Sequence, residues 1–499
     1  MNPGLLQAAI DRAPADRVAL DDGTRAVTYG ELLELIPAER RRCAALGDRH
    51  ALLADNGVAW AITDLALHLG RLVSVPLPGY FTDAQLTHLL DDAGIDCLHT
   101  DDPDRARRLL PGWTAGEASP ATGLACFQRR PDGRARPSLP PGTVKVTYTS
   151  GSTAEPKGVC LGADDLETVA ASLAAAAGSL GVRRHLCLLP LATLLENVGG
   201  VYAPPLSHAT CVVPPSSATG MRYSGPDVPR LLGCIAGAAP ESLILVPELL
   251  KLLVFAAGQG WPVPPTLRYV AVGGASVPVD LLEAAEAAGL PVYEGYGLSE
   301  CASVVTLNTP EARRRGSAGR PLPHARVRIA DDGQVMVSGV TLRGYLGGEP
   351  REPGREWATG DLGEFDADGY LYVRGRLRNL YITSYGRNVA PEWVEREIAQ
   401  SPAVRHVMVH GEARPWAVAL VVPSRDDVPP EAIGHAISAA NRRLPDYAQV
   451  RRWARVDAPF TLADGLLTAN GRLRRRAIVE RHASLIESLY RDETLSLTR

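Results

Sequence analysis

The sequence predicts an α/β protein of layered sheets and helices, arranged as a large N-terminal domain followed by a smaller α+β domain. Through the first three quarters, short apolar runs at 51–54, 144–147, 243–246, 269–272 and 292–293 alternate with helix-length segments and are punctuated by Gly or Pro. Buried strands in α/β layers have this pattern. From Gly333 onward the texture changes to short alternating runs with turns, such as Gln334-Val335-Met336-Val337 and Tyr370-Leu371-Tyr372-Val373, which read as small hairpins. A break at 375–379, followed by a compact mixture of strand and helix patterns, places the boundary there: 1–377 for the large domain and 378–499 for the small one.

At 499 residues the chain is long for one domain, so two or three units are expected. With 45% hydrophobic residues it can bury a large core without disulfides or metals. A net charge of -4 leaves no electrostatic footprint for nucleic acid or an anionic membrane. The short runs Arg313-Arg314-Arg315 and Arg474-Arg475-Arg476 read as solvated surface. The first residues lack a basic region followed by an apolar stretch, so no secretory signal is expected. No apolar run reaches the ~18 residues of a spanning helix, and the richest, 243–257, is interrupted by Pro247, Glu248 and Lys251. The cysteines are scattered without a zinc-type spacing, which predicts free thiols in a reducing, cytoplasmic compartment. Cys160 and Cys301, which flank motifs, read as buried packing residues. A monomer or homodimer is expected.

The lysines are Lys145, Lys157 and Lys251 alone, against 52 basic residues, so the position of each carries unusual information. One of them ends the strongest local motif, Thr147-Tyr-Thr-Ser-Gly-Ser-Thr-Ala-Glu-Pro-Lys157-Gly158-Val159, a strand running into a loop of small hydroxyl and glycine residues. Backbone amides around Gly151 and the hydroxyls of Thr149, Ser150, Ser152 and Thr153 can surround phosphate oxygens while Lys157 supplies a mobile positive charge. The Lys-Gly order excludes the Walker loop, which needs Gly-Lys-Ser/Thr opening a helix.

This segment resembles the signature loop of the adenylate-forming superfamily, which includes acyl-CoA synthetases, luciferases and peptide-synthetase adenylation domains. Ala154 stands where that pattern has Gly, a departure that should stiffen the loop. Further segments resemble the family's motifs in the family's order. Tyr269-Val-Ala-Val-Gly273-Gly274-Ala275 resembles the strand and turn against adenine; Tyr293-Glu-Gly-Tyr296-Gly297-Leu298-Ser299-Glu300 resembles the aromatic-Gly-x-Thr-Glu turn, with Ser299 for Thr. The resemblance implies that Tyr296 packs on adenine and that Glu300 holds magnesium, for which a hard carboxylate oxygen is chemically suited. It assigns Asp361 of Thr359-Gly360-Asp361 and Arg376 to the ribose, and Arg378 to the hinge. An acceptor-only carboxylate suits a diol.

Leu189-Pro-Leu-Ala-Thr193-Leu-Leu-Glu196 resembles the Leu-Pro-Leu-x-His-x-x-Glu segment of long-chain acyl-CoA synthetases, with Thr193 at the His position, and makes Thr193 and Glu196 acyl-site candidates. In Leu467-Thr468-Ala-Asn470-Gly471-Arg472, the last residue stands where the family has its catalytic Lys. Arg keeps the charge but not the geometry of an ammonium. A shift of ~1 Å can cost about 10²-fold, and loss of one preorganised charge about 2.7–4 kcal/mol, so adenylation re-tuned by Arg472 is expected rather than none.

The family resemblance implies a large domain with a distorted β-barrel part and a small, mobile lid domain. It implies ATP, Mg²⁺ and CoA, or the phosphopantetheine thiol of an acyl carrier protein, and a small-molecule carboxylic acid. The expected reaction is AMP-forming ligation of a medium- or long-chain fatty acid to a thiol, with Lys157, Glu300 and Arg472 as the catalytic residues. Alternatives are a ligase for an aryl or other specialised acid, an acyl- or nucleotide-binding descendant with impaired catalysis, and a kinase, which would release ADP instead of AMP.

Overall fold

The computed structural model of the chain describes residues 4–130, 136–149, 157–221, 226–275, 277–384, 387–468 and 471–491. Among these, two large mixed sheets carry the first three quarters. The first runs Arg320–Pro321, Ser303–Leu307, Val292–Leu298, Tyr269–Val272, Ser242–Leu245, Arg184–Leu186, Thr210–Val212, Val18–Asp21 and Ala26–Thr28, parallel in its middle and antiparallel at both margins. The second runs Gly344–Tyr345, Lys157–Gly162, Thr143–Thr149, Val73–Pro76, Arg49–Leu53, Cys97–Thr100, Ala125–Gln128 and Thr114–Gly116.

Parallel strands need both faces covered, and their runs are accordingly apolar throughout. Helices Val58–Leu69 and Ala163–Ala176 fill the space between the sheets: Trp60 and Leu166 belong to one buried cluster with Leu20 and Cys211 of the first sheet and Leu52 and Val159 of the second. The outer face of the first sheet is covered by helices Val228–Ala238, Pro247–Gly258 and Val279–Ala287, whose apolar stripes include Leu231, Leu250 and Leu282. The run 243–257 is therefore a strand followed by a covering helix, as its core character requires.

Residues after 324 form the antiparallel sheet Ala325–Ile329, Gln334–Gly339, Trp357–Phe365 and Leu371–Arg376. The expected barrel takes an open form. This sheet closes on strand Ser303–Leu307 through Val305, Val335, Val337 and Leu371, and through backbone bonds linking Leu371 with Ala318 and Gly319, with no continuous ladder. A single turn, Leu377–Asn379, leads to a three-stranded sheet of Val404–His410, Ala417–Pro423 and Val450–Arg455 with helices Pro391–Ala399 and Pro430–Asn441. Val394, Ile398, Val421 and Ile437 make a core of its own there.

A buried polar group ties the second sheet to helix Val58–Leu69 and to the segment Asn197–Tyr202, which pack between the two large sheets. Lys145 Nζ, on the strand that leads into the Ser/Thr loop, donates to Asp64 Oδ1 at 2.7 Å and to Asn197 Oδ1 at 2.6 Å. Asp64 also accepts from Asn197 Nδ2, Tyr202 and Ser74 at 2.8, 2.7 and 3.0 Å. Burial favours the neutral acid, but the Lys145 charge and these donors outweigh it and hold the Asp64 carboxyl below its ordinary range. Asn197 and Tyr202 bound a π-helical segment, Asn197–Tyr202, a local widening that turns both side chains onto Asp64.

Breaking a buried ion pair from one side strands the other charge, at about 3–5 kcal/mol. Lys145→Leu is expected to lower the unfolding free energy by about that amount in urea titrations; a loss below about 1 kcal/mol, the scale of a surface pair, would show that the network does not hold the second sheet to the helices between the layers.

Candidate active site

Strands Thr143–Thr149 and Lys157–Gly162 pair antiparallel in a register that sets Thr149 opposite Lys157. Ser150, Gly151, Ser152, Thr153 and Ala154 lie outside the described residues, as does the Thr149 side chain. Lys157 is exposed, with Nζ 5.6 Å from the centre of the Tyr345 ring. Tyr345, on the edge strand beside it, donates from its hydroxyl to Glu300 Oε1 at 3.1 Å. Burial and the Glu300 charge push this phenol well above its ordinary value, so it stays a donor. Lys157 on the second sheet and Glu300 beside the first are thus joined through one aromatic ring.

The Glu300 turn is shaped by close approach. A Cβ on Gly297 would fall 1.8 Å from the Ser303 carbonyl oxygen, so only glycine lets Val292–Leu298 fold back on Ser303–Leu307 at this register. One 3₁₀ turn, Ser299–Cys301, follows, and the chain leaves it through Ala302 at φ 55° and Ser303 at φ 107°. Such values are uncommon for residues with a Cβ and mark stored strain of the kind found at functional sites. The Leu342 amide donates to the Glu300 carbonyl at 2.6 Å and holds the turn against the second sheet.

On the neighbouring wall, cross-strand register places Arg376 opposite Asp361. Asp361 Oδ1 lies 2.9 Å from Arg376 Nε, and Oδ2 accepts from the Tyr296 hydroxyl at 2.7 Å. The Asp361 amide donates to Thr359 Oγ1 at 3.0 Å, fixing the turn that presents the carboxylate. Burial first, then the Asp361 charge, push the Tyr296 phenol well above its ordinary value.

From the small domain, Arg472 donates through Nη2 and Nε to the carbonyl of Gly274, at 2.6 and 3.2 Å. Gly274 has φ +84°, which turns that carbonyl out of the strand end at Tyr269–Val272. Burial and the nearby Arg376 charge pull the Arg472 guanidinium below the usual arginine value, with Arg378 adding to the repulsion and Asp361 opposing it.

These residues line one cleft of about 2310 Å³ between the domains. Lys157, Glu300, Asp361 and Arg472 all open into it, as do Gly273, Gly274 and Ala275 on the turn, Gly297 and Ser299 beside Tyr296, and Arg376 and Arg378 at the domain junction. Thr193 also lines it, its hydroxyl donating to the Pro190 carbonyl at 2.7 Å. Glu196 does not. It is fully buried behind the wall, with Oε1 3.4 Å from His185 Nε2, because the turn Leu194–Glu196 carries it into the sheet interior. Cys160 and Cys301 are buried, and burial raises both thiols, the first to about 12.

Two cleft residues have no motif that announces them. Tyr345 follows Gly344 in a segment without periodicity. Glu294 lies inside Tyr293-Glu-Gly-Tyr296, where the aromatic and glycine residues draw the reading; its Oε2 is buried without a partner among the described residues.

The family model described as AMP-binding enzyme matches residues 6–349, and that of the AMP-binding enzyme C-terminal domain matches residues 379–494. A long-chain-fatty-acid–CoA ligase of Mycobacterium bovis is 31% identical over 259 residues, which span 45% of this chain and only 42% of that relative. A 2-succinylbenzoate–CoA ligase of a Geobacillus species is 29% identical over 433 residues, 79% of this chain and 81% of that protein. In fold, the chain is similar to an anthranilate CoA ligase in complex with anthranoyl-AMP, with TM-score 0.75, 20% identity and 96% of both chains covered. It is also similar to the o-succinylbenzoate CoA synthetase of Bacillus subtilis in complex with its acyl-adenylate, with TM-score 0.73, 24% identity and 96% and 98% covered.

Burial raises the Glu294 carboxyl from 4.5 to about 8, against smaller opposing effects of the Val277 amide and Arg396. Between those pH values the folded chain holds a proton that the unfolded chain has released, so stability declines as pH rises across the window. Glu294→Gln is expected to remove that component, the variant gaining on the parent in denaturant midpoint from acid to mildly alkaline pH. Parallel pH profiles for the two proteins would refute it.

Proposed function

This chain belongs to the AMP-binding enzyme family, and we propose that within it the protein is an ATP-dependent, AMP-forming ligase that couples a carboxylic acid to a thiol. The observation that carries the reading is the convergence of Lys157, Glu300, Asp361 and Arg472, from three sheets and both domains, on one cleft. A kinase would need no such second domain reaching across the nucleotide wall, and it releases ADP where this reaction releases AMP.

A carboxylate is a poor acyl electrophile because oxide is a very poor leaving group. Attack of a carboxylate oxygen on the α-phosphorus of ATP forms an acyl–phosphate bond, breaks the bond to pyrophosphate and leaves AMP as the new leaving group. Asp361 accepts hydrogen bonds from the ribose diol, its two oxygens keeping lone pairs beside Tyr296 and Arg376. Lys157 follows the charge that moves onto pyrophosphate. Glu300, held by the Tyr345 hydroxyl, presents a hard oxygen into the cleft and fits magnesium. When bound, that ion supplies positive charge to the phosphate oxygens. Arg472 steers the carboxylate from its seat on Gly274. Turning about Arg378 then withdraws Arg472 and admits the thiol of CoA or of a carrier protein, so two half-reactions share one site.

For the acid, a medium- or long-chain fatty acid is our first choice, on the Leu189–Glu196 segment and on Thr193 facing the cleft. An aryl acid is the second, supported by the longer alignment to 2-succinylbenzoate–CoA ligases.

Acid-dependent ATP–pyrophosphate exchange tests the chemistry. Lys157→Ala and Arg472→Ala are each expected to lower its rate on the order of 10²- to 10³-fold, with ATP still bound by Arg472→Ala in calorimetry. Binding without exchange across a broad acid panel would replace the ligase by a binding protein. The same panel, run with and without CoA and read by mass for AMP and thioester, is expected to favour fatty acids; thioester from succinylbenzoate or benzoates alone would overturn the fatty-acid choice.

A further inference from the structure

Away from the cleft, one face of the second sheet gathers metal-ligand side chains that the sequence scatters. Cys97 and His99 are two apart on one strand and share a face; register sets His50 opposite Cys97 and Cys126 opposite His99. Helix Tyr29–Leu46 covers that face and adds Cys43. All five are buried. His50 Nδ1 lies 3.0 Å from His99 Nε2, Cys43 Sγ lies 3.9 Å from His99 Nε2, and the three donor atoms are all within 4.8 Å of one another.

We propose that Cys43, His50 and His99 form a structural zinc site that pins helix Tyr29–Leu46 to the sheet, completed by Cys126 once its Sγ turns inward from Cys97 Sγ, 3.4 Å away. Tetrahedral zinc, with bonds of about 2.0 Å to nitrogen and 2.3 Å to sulfur, separates two nitrogens by about 3.3 Å and nitrogen from sulfur by about 3.6 Å, each within a few tenths of an ångström of the 3.0 Å between His50 and His99 and the 3.9 Å between Cys43 and His99. His50 Nε2 faces the Gly47 carbonyl at 2.9 Å and must donate to it, so His50 Nδ1 turns a lone pair inward. A backbone carbonyl behind a ligating imidazole is the usual outer support of such sites. Charge closes as well: two thiolates neutralise Zn²⁺, and Glu39 beside Cys43 is offset by Arg42, 3.5 Å away. Soft sulfur with imidazole selects zinc over hard cations. The spacing 43, 50, 99, 126 conceals the set, since its members come from a helix and three strands.

The other buried group of this kind, His185, Cys187 and Glu196, serves as the control. That group has one sulfur donor and a hard carboxylate oxygen, a poorer set for zinc than two sulfurs with two imidazoles.

Untagged full-length protein, expressed in zinc-supplemented medium and desalted, is expected to carry about one zinc per chain by mass spectrometry. Cys43→Ser and His99→Gln are expected to lose it, and Cys187→Ser to retain it. Because the first two variants could fail to fold, wild-type protein refolded with cobalt(II) gives an independent readout: tetrahedral visible bands with thiolate-to-cobalt charge transfer support the site. Zinc-free wild type, absence of those bands, or zinc retained in both Cys43→Ser and His99→Gln would each overturn it.

Discussion

Three guanidiniums share the neighbourhood of one carboxylate at the junction of the two domains. Arg376 is bonded to Asp361, while the bonds described for Arg472 go only to the neutral carbonyl of Gly274, and Arg378 repels both. Like charges in a partly desolvated cleft are tolerated when their surroundings over-determine the geometry and an anion can join them. A nucleotide phosphate would meet that requirement, with Asp361 on one wall and Lys157 and Glu300 on the other in the roles proposed for them.

The walls are joined by an apolar cluster that spans both sheets, and polar contacts set within and above it fix their spacing. Lys145, Asp64, Asn197 and Tyr202 satisfy one another between the sheets, beneath the strand that leads into the Ser/Thr loop. Tyr345 spans the mouth above, from Lys157 to Glu300. A polar contact has one preferred length and angle, whereas apolar packing admits small slides at little cost. Holding Lys157 at a set distance from Glu300, on a turn beside the other sheet, needs the former.

What the sequence made legible was local. Gly297, Glu300 and Asp361 stand at short spacing in turns whose geometry depends on neighbouring residues, so their residue types reveal the turn. Scarcity of lysine pointed to Lys157, and it also applied to Lys145, whose part is structural. Glu196 shows the limit. Its motif fixes distance along the chain, but the short helical turn and the π-helical segment after it decide the facing direction, and they turn it into the sheet beside His185. Tyr345 had no pattern to find, because it acquires its place from Glu300 and Lys157, far away in sequence, and Glu294 was hidden by the aromatic and glycine residues around it. The barrel came out as an open sheet closed by packing, a difference of strand pairing that alternation of apolar residues does not encode.

The sequence by itself determined the alternation of strands and helices, the identity of the adenylate-type motifs and their order, because those follow from residue chemistry within a few positions. The tertiary structure alone decided that Lys157, Glu300, Asp361 and Arg472 face one cleft, that Arg472 is seated on Gly274, and that two cysteines and two histidines meet behind a helix. These are contacts between segments tens to hundreds of residues apart. Their geometry is set by sheet register and by which face of each element is buried, and no local spacing carries that information.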